Sequence, residues 1–187
     1  MKTRHLVLSI FLFIVLAGFV FRPFLSKADV ATGLIGLWKL DEGSGVSAAD
    51  SAGSNNGALL NSPTWTPGKI SNALLFNGIN QTVKTNSLGP TGNPALSASA
   101  WIKTTSSAEE VFFAYGSDSG IGSPEYFRLN VNMTGANSLG VRTGNGRRSF
   151  NAPSITDGNW HHVVVSKSAN DILTNLKIYL YPIAKLI

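Results

Sequence analysis

From residue 30 onward the apolar residues fall in short runs and two-residue alternations, separated by clusters of Gly, Asn, Asp and Ser. No long stretch carries the three-to-four-residue spacing of an amphipathic helix. That pattern predicts strands joined by turns, hence a sandwich or barrel. The first predicted strand is Leu34–Leu40, ended by Asp41-Glu42-Gly43-Ser44-Gly45. Ser51 to Gly57 is predicted as loop. Ala73–Phe76 reads as a strand closed by Asn77-Gly78, with Thr82–Thr85 as its hairpin partner. Leu96–Lys103 and Val111–Tyr115 follow. The clearest alternation is 126–133, where Phe127, Leu129, Val131 and Met133 are expected on one face and Tyr126, Arg128, Asn130 and Asn132 on the other. Leu139 and Val141 repeat it with Arg142 outward, and Gly144-Asn145-Gly146 turns the chain back. Asp157-Gly158 feeds a strand over Trp160–Ser166, and Leu176, Ile178 and Leu180 alternate with Lys177, Tyr179 and Tyr181. About ten strands without a helical crossover predict an all-β, antiparallel two-sheet fold.

The one continuous apolar segment precedes all of this. A basic start (Lys2, Arg4), the run Leu6–Phe21 and the small residues Ser26 and Ala28 have the order of a secretory signal over residues 1–28. An uncleaved anchor is the alternative, although the run is short against the roughly 20 residues that span a bilayer. On either reading the domain from residue 29 to 187 works outside the cytoplasm, secreted or at the cell surface, and touches a membrane only through that segment. Charge changes meaning accordingly. Setting Lys2, Arg4, Arg22 and Lys27 aside from the fifteen Lys and Arg leaves eleven against ten Asp and Glu. The formal +5 therefore gives no reason to expect nucleic acid as a partner. The absence of cysteine removes thiolate metal sites and thiol nucleophiles.

Particular residues add what periodicity cannot. Gly36-Leu37-Trp38-Lys39-Leu40-Asp41-Glu42-Gly43-Ser44-Gly45, Ala73-Leu74-Leu75-Phe76-Asn77-Gly78 and Ser97-Ala98-Ser99-Ala100-Trp101-Ile102-Lys103 occur in the order found in laminin-G-like domains. Asp157-Gly158-Asn159-Trp160-His161-His162-Val163-Val164-Val165 is the best single match, and Leu176-Lys177-Ile178-Tyr179-Leu180 comes last. The chain over about 33–181 thus resembles the laminin-G-like jelly rolls of the concanavalin-A-like lectin/glucanase superfamily. The resemblance implies a jelly-roll sandwich in which Trp38, Phe76 and Trp160 are structural. It also implies calcium in the neighbourhood of Asp41, Asp50 and Asn56, where the alternative is that Asp41 and Asp50 cap turns through side-chain-to-backbone hydrogen bonds; at the turn after Phe76, Asn77 and Gln81 stand where the family carries carboxylates. The family continues past its Lys-Ile-Tyr strand, so a domain lacking the last strands of that fold is expected.

Candidate chemistry is sparse. Glycoside hydrolysis needs two carboxylates across the scissile bond. The adjacent pair Glu109-Glu110 would point to opposite faces of a strand, and a solvated loop position is expected for it. His161-His162 cannot chelate one ion from neighbouring strand positions; one is expected near the core and the other away from it. Sugar binding needs an aromatic platform with polar neighbours. Trp101 shares a strand face with Ser97, Ser99 and Lys103, and Trp65 is expected on a loop. Asn145, Arg147 and Arg148 at a hairpin tip are candidates for an anionic glycan. The expectation is a non-catalytic, lectin-like recognition module with calcium as a possible cofactor. Its alternatives are a protein-binding adhesion module and an accessory domain of a glycoside hydrolase.

Overall fold

The computed structural model describes residues 33–86, 89–90, 92, 94–116, 127–135, 137–144, 146–152 and 155–169, together with the backbone of 177–182. The signal segment 1–28 and Asn145 lie outside the described residues. Among these residues there is no helix. The strands are β1 Ser47–Ala48, β2 Gly57–Leu60, β3 Thr64–Pro67, β4 Asn72–Leu75, β5 Thr82–Lys84, β6 Leu96–Ile102, β7 Glu110–Tyr115, β8 Phe127–Val131, β9 Ser138–Thr143, β10 Gly146–Asn151, β11 His161–Lys167 and β12 Lys177–Pro182. They form sheets in the orders β1-β2-β5, β3-β4, β10-β9-β8-β7 and β12-β11-β6. Every pairing is antiparallel.

The main core is built where alternation is strongest. Phe127, Leu129, Val131, Leu139 and Val141 from the four-stranded sheet meet Val163 and Val165 of β11, with Leu96, Ala98 and Ile102 of β6 packed against them. Two apolar faces closing on one another make these sheets the layers of a sandwich. Tyr115 stacks on Phe127 at 5.5 Å and Phe113 meets the same ring edge-on at 6.3 Å. Fully burying a ring such as Phe127 contributes about 1.5–3 kcal/mol. Burial also pushes the Tyr115 hydroxyl up to about 12. A smaller cluster, Ala48, Leu59 and Leu74 with Trp38, Leu40, Trp65 and Val83, holds the N-terminal strands.

Four expectations need correction. Leu34–Leu40 is not a strand: within it only Trp38 makes a bridge, to Asp50, and Leu40 takes a positive φ of 57°. The β4 strand pairs with β3, not with the 82–85 segment, which lies instead against β2. The cause is the loop between them. Asn77 Oδ1 accepts the amides of Ile79 and Asn80 at 3.0 and 3.2 Å, and Gln81 Oε1 accepts the Asn77 amide at 2.8 Å. This wide, internally bonded turn carries the chain to a different sheet. Trp65 consequently sits on strand β3 and not on a loop. Finally, Met133 does not continue the core face of β8. Asn132 adopts φ +57°, which breaks the alternation. Met133 swings over Gly140, where a Cβ would lie 2.5 Å from its own.

Candidate functional site

The outward side of the three-stranded sheet carries the most developed constellation. β6 and β11 pair so that Trp101 lies opposite His162, Ser99 opposite Val164 and Ser97 opposite Ser166. Ala98 and Ala100 alternate inward, as do Val163 and Val165, so Trp101 and His162 share the face turned from the core. The two rings stack with centroids 4.9 Å apart and planes 26° apart. Lys69, from the turn between β3 and β4, brings its ammonium to 5.9 Å from the indole centroid, within cation–π range. Ser97 donates its hydroxyl to Ser166 at 3.0 Å beside them. On the far side of β11 the backbone register sets Tyr181 across from His162 and Tyr179 across from Val164. A half-buried indole, an imidazole, an ammonium and serine hydroxyls thus occupy one sheet face. Trp101 was legible from the strand alternation. His162 and Lys69 were missed as its partners, because pairing across strands cannot be read from one strand.

His161 points the other way and is 3 % exposed. Its Nε2–H donates to Asp157 Oδ1 at 2.9 Å, while Nδ1 is buried without a hydrogen-bond partner. The pair fixes the turn: Asp157 Oδ1 also accepts the Asn159 amide at 2.8 Å, and Gly158 takes φ +77°. The His161 bond first, and the Asn159 amide second, hold the Asp157 carboxyl down to about 2. A depressed carboxyl contributes stability above its unfolded value, here 3.8, and loses it as pH falls through the folded value. The melting temperature is therefore expected to drop more steeply for the wild type than for Asp157→Asn between pH 4 and pH 2. Circular dichroism melts at half-unit pH steps check this, and parallel curves would refute it. Half-buried Trp160 immediately precedes β11 beside this turn.

Asp50 and Asn56, implied as calcium ligands, do come together, but around backbone amides. Asp50 Oδ1 accepts from Leu37 N at 3.0 Å and Ala52 N at 2.9 Å, Oδ2 accepts from Asn55 N at 3.2 Å, and Asn56 Oδ1 accepts from Asp50 N at 2.9 Å. These amides, Leu37 first, hold the Asp50 carboxyl below the usual carboxylate range. Calcium takes six to eight oxygen ligands. An Asp50 carboxylate already filled by N–H donors, with exposed Asp41 meeting Asn72 through its carbonyl alone among the bonds described, does not fit that requirement. Trp38 packs on the smaller core and donates Nε1–H to Asn55 O at 3.0 Å. Phe76 is 41 % exposed, and the neighbouring Leu74 takes the buried place.

Trp65 donates Nε1–H to Gly45 O at 3.1 Å and packs on the smaller core, so its ring serves structure. Arg147 and Arg148 are both exposed on β10 but leave it on opposite faces. Glu109 is no mere solvated residue, since its Oε1 accepts Asn130 Nδ2 at 2.9 Å.

An antiparallel β-sandwich with aromatic and polar groups on an outer sheet face is the class of molecule this geometry defines. Residues 76–180, more than half of the chain, match the laminin-G-type family model described as concanavalin A-like lectin/glucanases superfamily, and the chain belongs to that superfamily. A solved structure of an S-layer domain-containing protein (residues 221–444) from Clostridium thermocellum is similar over 78% of this chain and 67% of that one, at 20% identity and a TM-score of 0.48. No curated protein matches the chain.

Proposed function

We propose that the domain is an exported, non-catalytic recognition module of the cell exterior that binds carbohydrate on the outer face of β6 and β11. The observation that carries this reading is the Trp101–His162 stack flanked by Ser97, Ser99 and Ser166. Pyranose rings lay their apolar C–H faces on aromatic rings, while neighbouring hydroxyls and amines orient the sugar hydroxyls. His162 and Lys69 hold the indole in one orientation, which lowers the ordering cost of binding. Calcium support through Asp41, Asp50 and Asn56 is not part of this proposal, because the Asp50 oxygens are already taken. Export rests on residues 1–28 and the superfamily membership.

The test is a glycan array probed with and without a calcium chelator, followed by titration of the best neutral ligand. Trp101→Ala is expected to weaken binding by about tenfold or more, the loss of one good aromatic contact in a site. His162→Ala, which leaves the indole in place, is expected to weaken it less. No glycan bound in either condition, or undiminished binding by both folded variants, would refute the reading. A protein-binding adhesion module is the second reading. It is favoured by the shallow groove of Thr64, Leu75, Phe76, Asn77 and Gln81, beside which Ile79 stands 86 % exposed.

A further inference from the structure

The outer face of the four-stranded sheet holds three cations in a row. Register places Arg128 of β8 opposite Arg142 of β9, and Arg142 opposite Arg147 of β10. Phe127, Leu129 and Val141 beside them are buried in the core, so alternation puts all three arginines on the face turned away from it. At a strand spacing of about 4.8 Å the row spans about 10 Å. Like charges directly opposite one another destabilise a sheet. Glu109 Oε1 lies 3.9 Å from Arg142 Nη2, beyond hydrogen-bond length, and is engaged by Asn130. Two polar atoms on this face are buried without any hydrogen-bond partner, Arg142 Nε and the Oδ1 of Asn130, a residue only 1 % exposed. One margin is walled by Met133 over Gly140 and by the Thr134–Ser149 hydroxyl pair at 2.7 Å. The other is formed by Ala114 and Val111 of β7, opposite Arg128 and Asn130.

We propose that this face binds an acidic polysaccharide, whose anionic groups lie along Arg128, Arg142 and Arg147. The planar guanidinium matches carboxylate and phosphate oxygens in paired hydrogen bonds. The anion is either a uronate carboxylate or a phosphodiester of a phosphate-linked glycan; both offer the same paired oxygens. Arg148 provides an internal control. It is as exposed in class as Arg147 and adjacent to it, yet the register opposes it to core-facing Val141, off the row. A surface that merely attracts polyanions would not distinguish the two.

Affinity electrophoresis and calorimetry with polygalacturonate, a poly(glycerol phosphate), a neutral β-glucan and single-stranded DNA test this. Arg147→Glu is expected to weaken acidic-polymer binding about tenfold or more, the worth of a charge-assisted pair. Arg148→Glu, with the same change in net charge, is expected to shift it less than about twofold, as a charge off the contact does. Arg142→Gln, checked by thermal melt for folding, is expected to weaken binding and to flatten its salt dependence. Preference for polygalacturonate or for poly(glycerol phosphate) identifies the anion, and either supports the site. Equal losses in the Arg147 and Arg148 variants, DNA bound as well as the acidic polymers, neutral-glucan binding that falls in Arg147→Glu as much as acidic-polymer binding does, or no acidic-polymer binding would overturn it. Because Trp101 lies on the other sheet, its variant should keep acidic-polymer binding, so the two proposals fail separately.

Discussion

Replacing Asp50 with alanine is expected to release the N-terminal strands while the main sandwich stays folded. Asp50 is 7 % exposed, and its carboxylate closes a ring of donors drawn from both sides of the loop. Leu37 N comes from the approaching segment, and Ala52 N and Asn55 N from the loop itself. The same loop is tied back by Ser51 N to Leu37 O at 2.8 Å and by Trp38 Nε1 to Asn55 O at 3.0 Å. Removing the carboxylate leaves three amides without acceptors in a part-buried place, where unmade hydrogen bonds are costly. The cluster that would have to compensate is small: Ala48, Leu59 and Leu74 are its only buried members among the described residues. The larger core shares none of these side chains. Hydrogen exchange is the measurement. The amides of Leu37, Ala52 and Asn55 are expected to lose protection in Asp50→Ala, while those of Leu129, Val141 and Val163 keep theirs. Asp50→Asn, which keeps one acceptor, should fall between. Added calcium is expected to leave the wild-type melting temperature unchanged, because the oxygens it would seek are filled. Unchanged exchange at Leu37 and Ala52 would refute the assignment of Asp50 as the organiser of this loop.

The alternation of Phe127, Leu129 and Val131, repeated at Leu139 and Val141 and again at Val163 and Val165, was readable because each strand buries one face against a continuous core. The neighbour of each strand was less readable. Periodicity says which way a residue points, not which strand lies beside it. Thr82–Thr85 was therefore matched to the strand nearest in sequence, whereas the bonds within 77–81 send it to β2. The arginine row shows what a turn can add. β9 and β10 pair with Thr143 opposite Gly146, so Arg142 must oppose Arg147. That pairing was available in the sequence once the turn was given a register. Its extension to Arg128 was not, since β8 and β9 are joined through the irregular 132–137 turn. For Asp50 the sequence leaves a capping and a calcium role both open, because a carboxylate before a Gly/Ser/Asn loop serves either. The direction of its oxygens decides, and that is a property of the folded chain.

The irregular turn after β8 depends on one side chain, and Asn132→Asp is expected to be the most damaging isosteric change in the domain. Asn132 is 4 % exposed and holds φ +57°, a conformation that asparagine tolerates better than most residues. Its Nδ2 donates to Ser106 O at 2.7 Å and Ala108 O at 3.0 Å, and its Oδ1 accepts from Asn137 N at 2.9 Å. The turn from β8 to β9 is thereby fastened to the segment leading into β7. The buried amide also leaves the sequon Asn132-Met133-Thr134 closed to modification in the folded state. A carboxylate has the same shape but no donor. It would face two carbonyl oxygens with negative charge and leave both unsatisfied, at a cost of about 3–5 kcal/mol. Against a domain stability of about 5–15 kcal/mol that is a large fraction, and it corresponds to roughly 10 °C in melting temperature. The pH dependence identifies the cause. Burial raises the introduced carboxyl above its unfolded value, so the deficit relative to wild type is expected to shrink as pH falls through that raised value. Asn132→Gly, which keeps the positive φ and deletes the amide, should show a smaller deficit with no such recovery. A melting temperature for Asn132→Asp within 2 °C of wild type at pH 7, a range that corresponds to about 1 kcal/mol or less in a domain of this size, would refute the role assigned to this side chain.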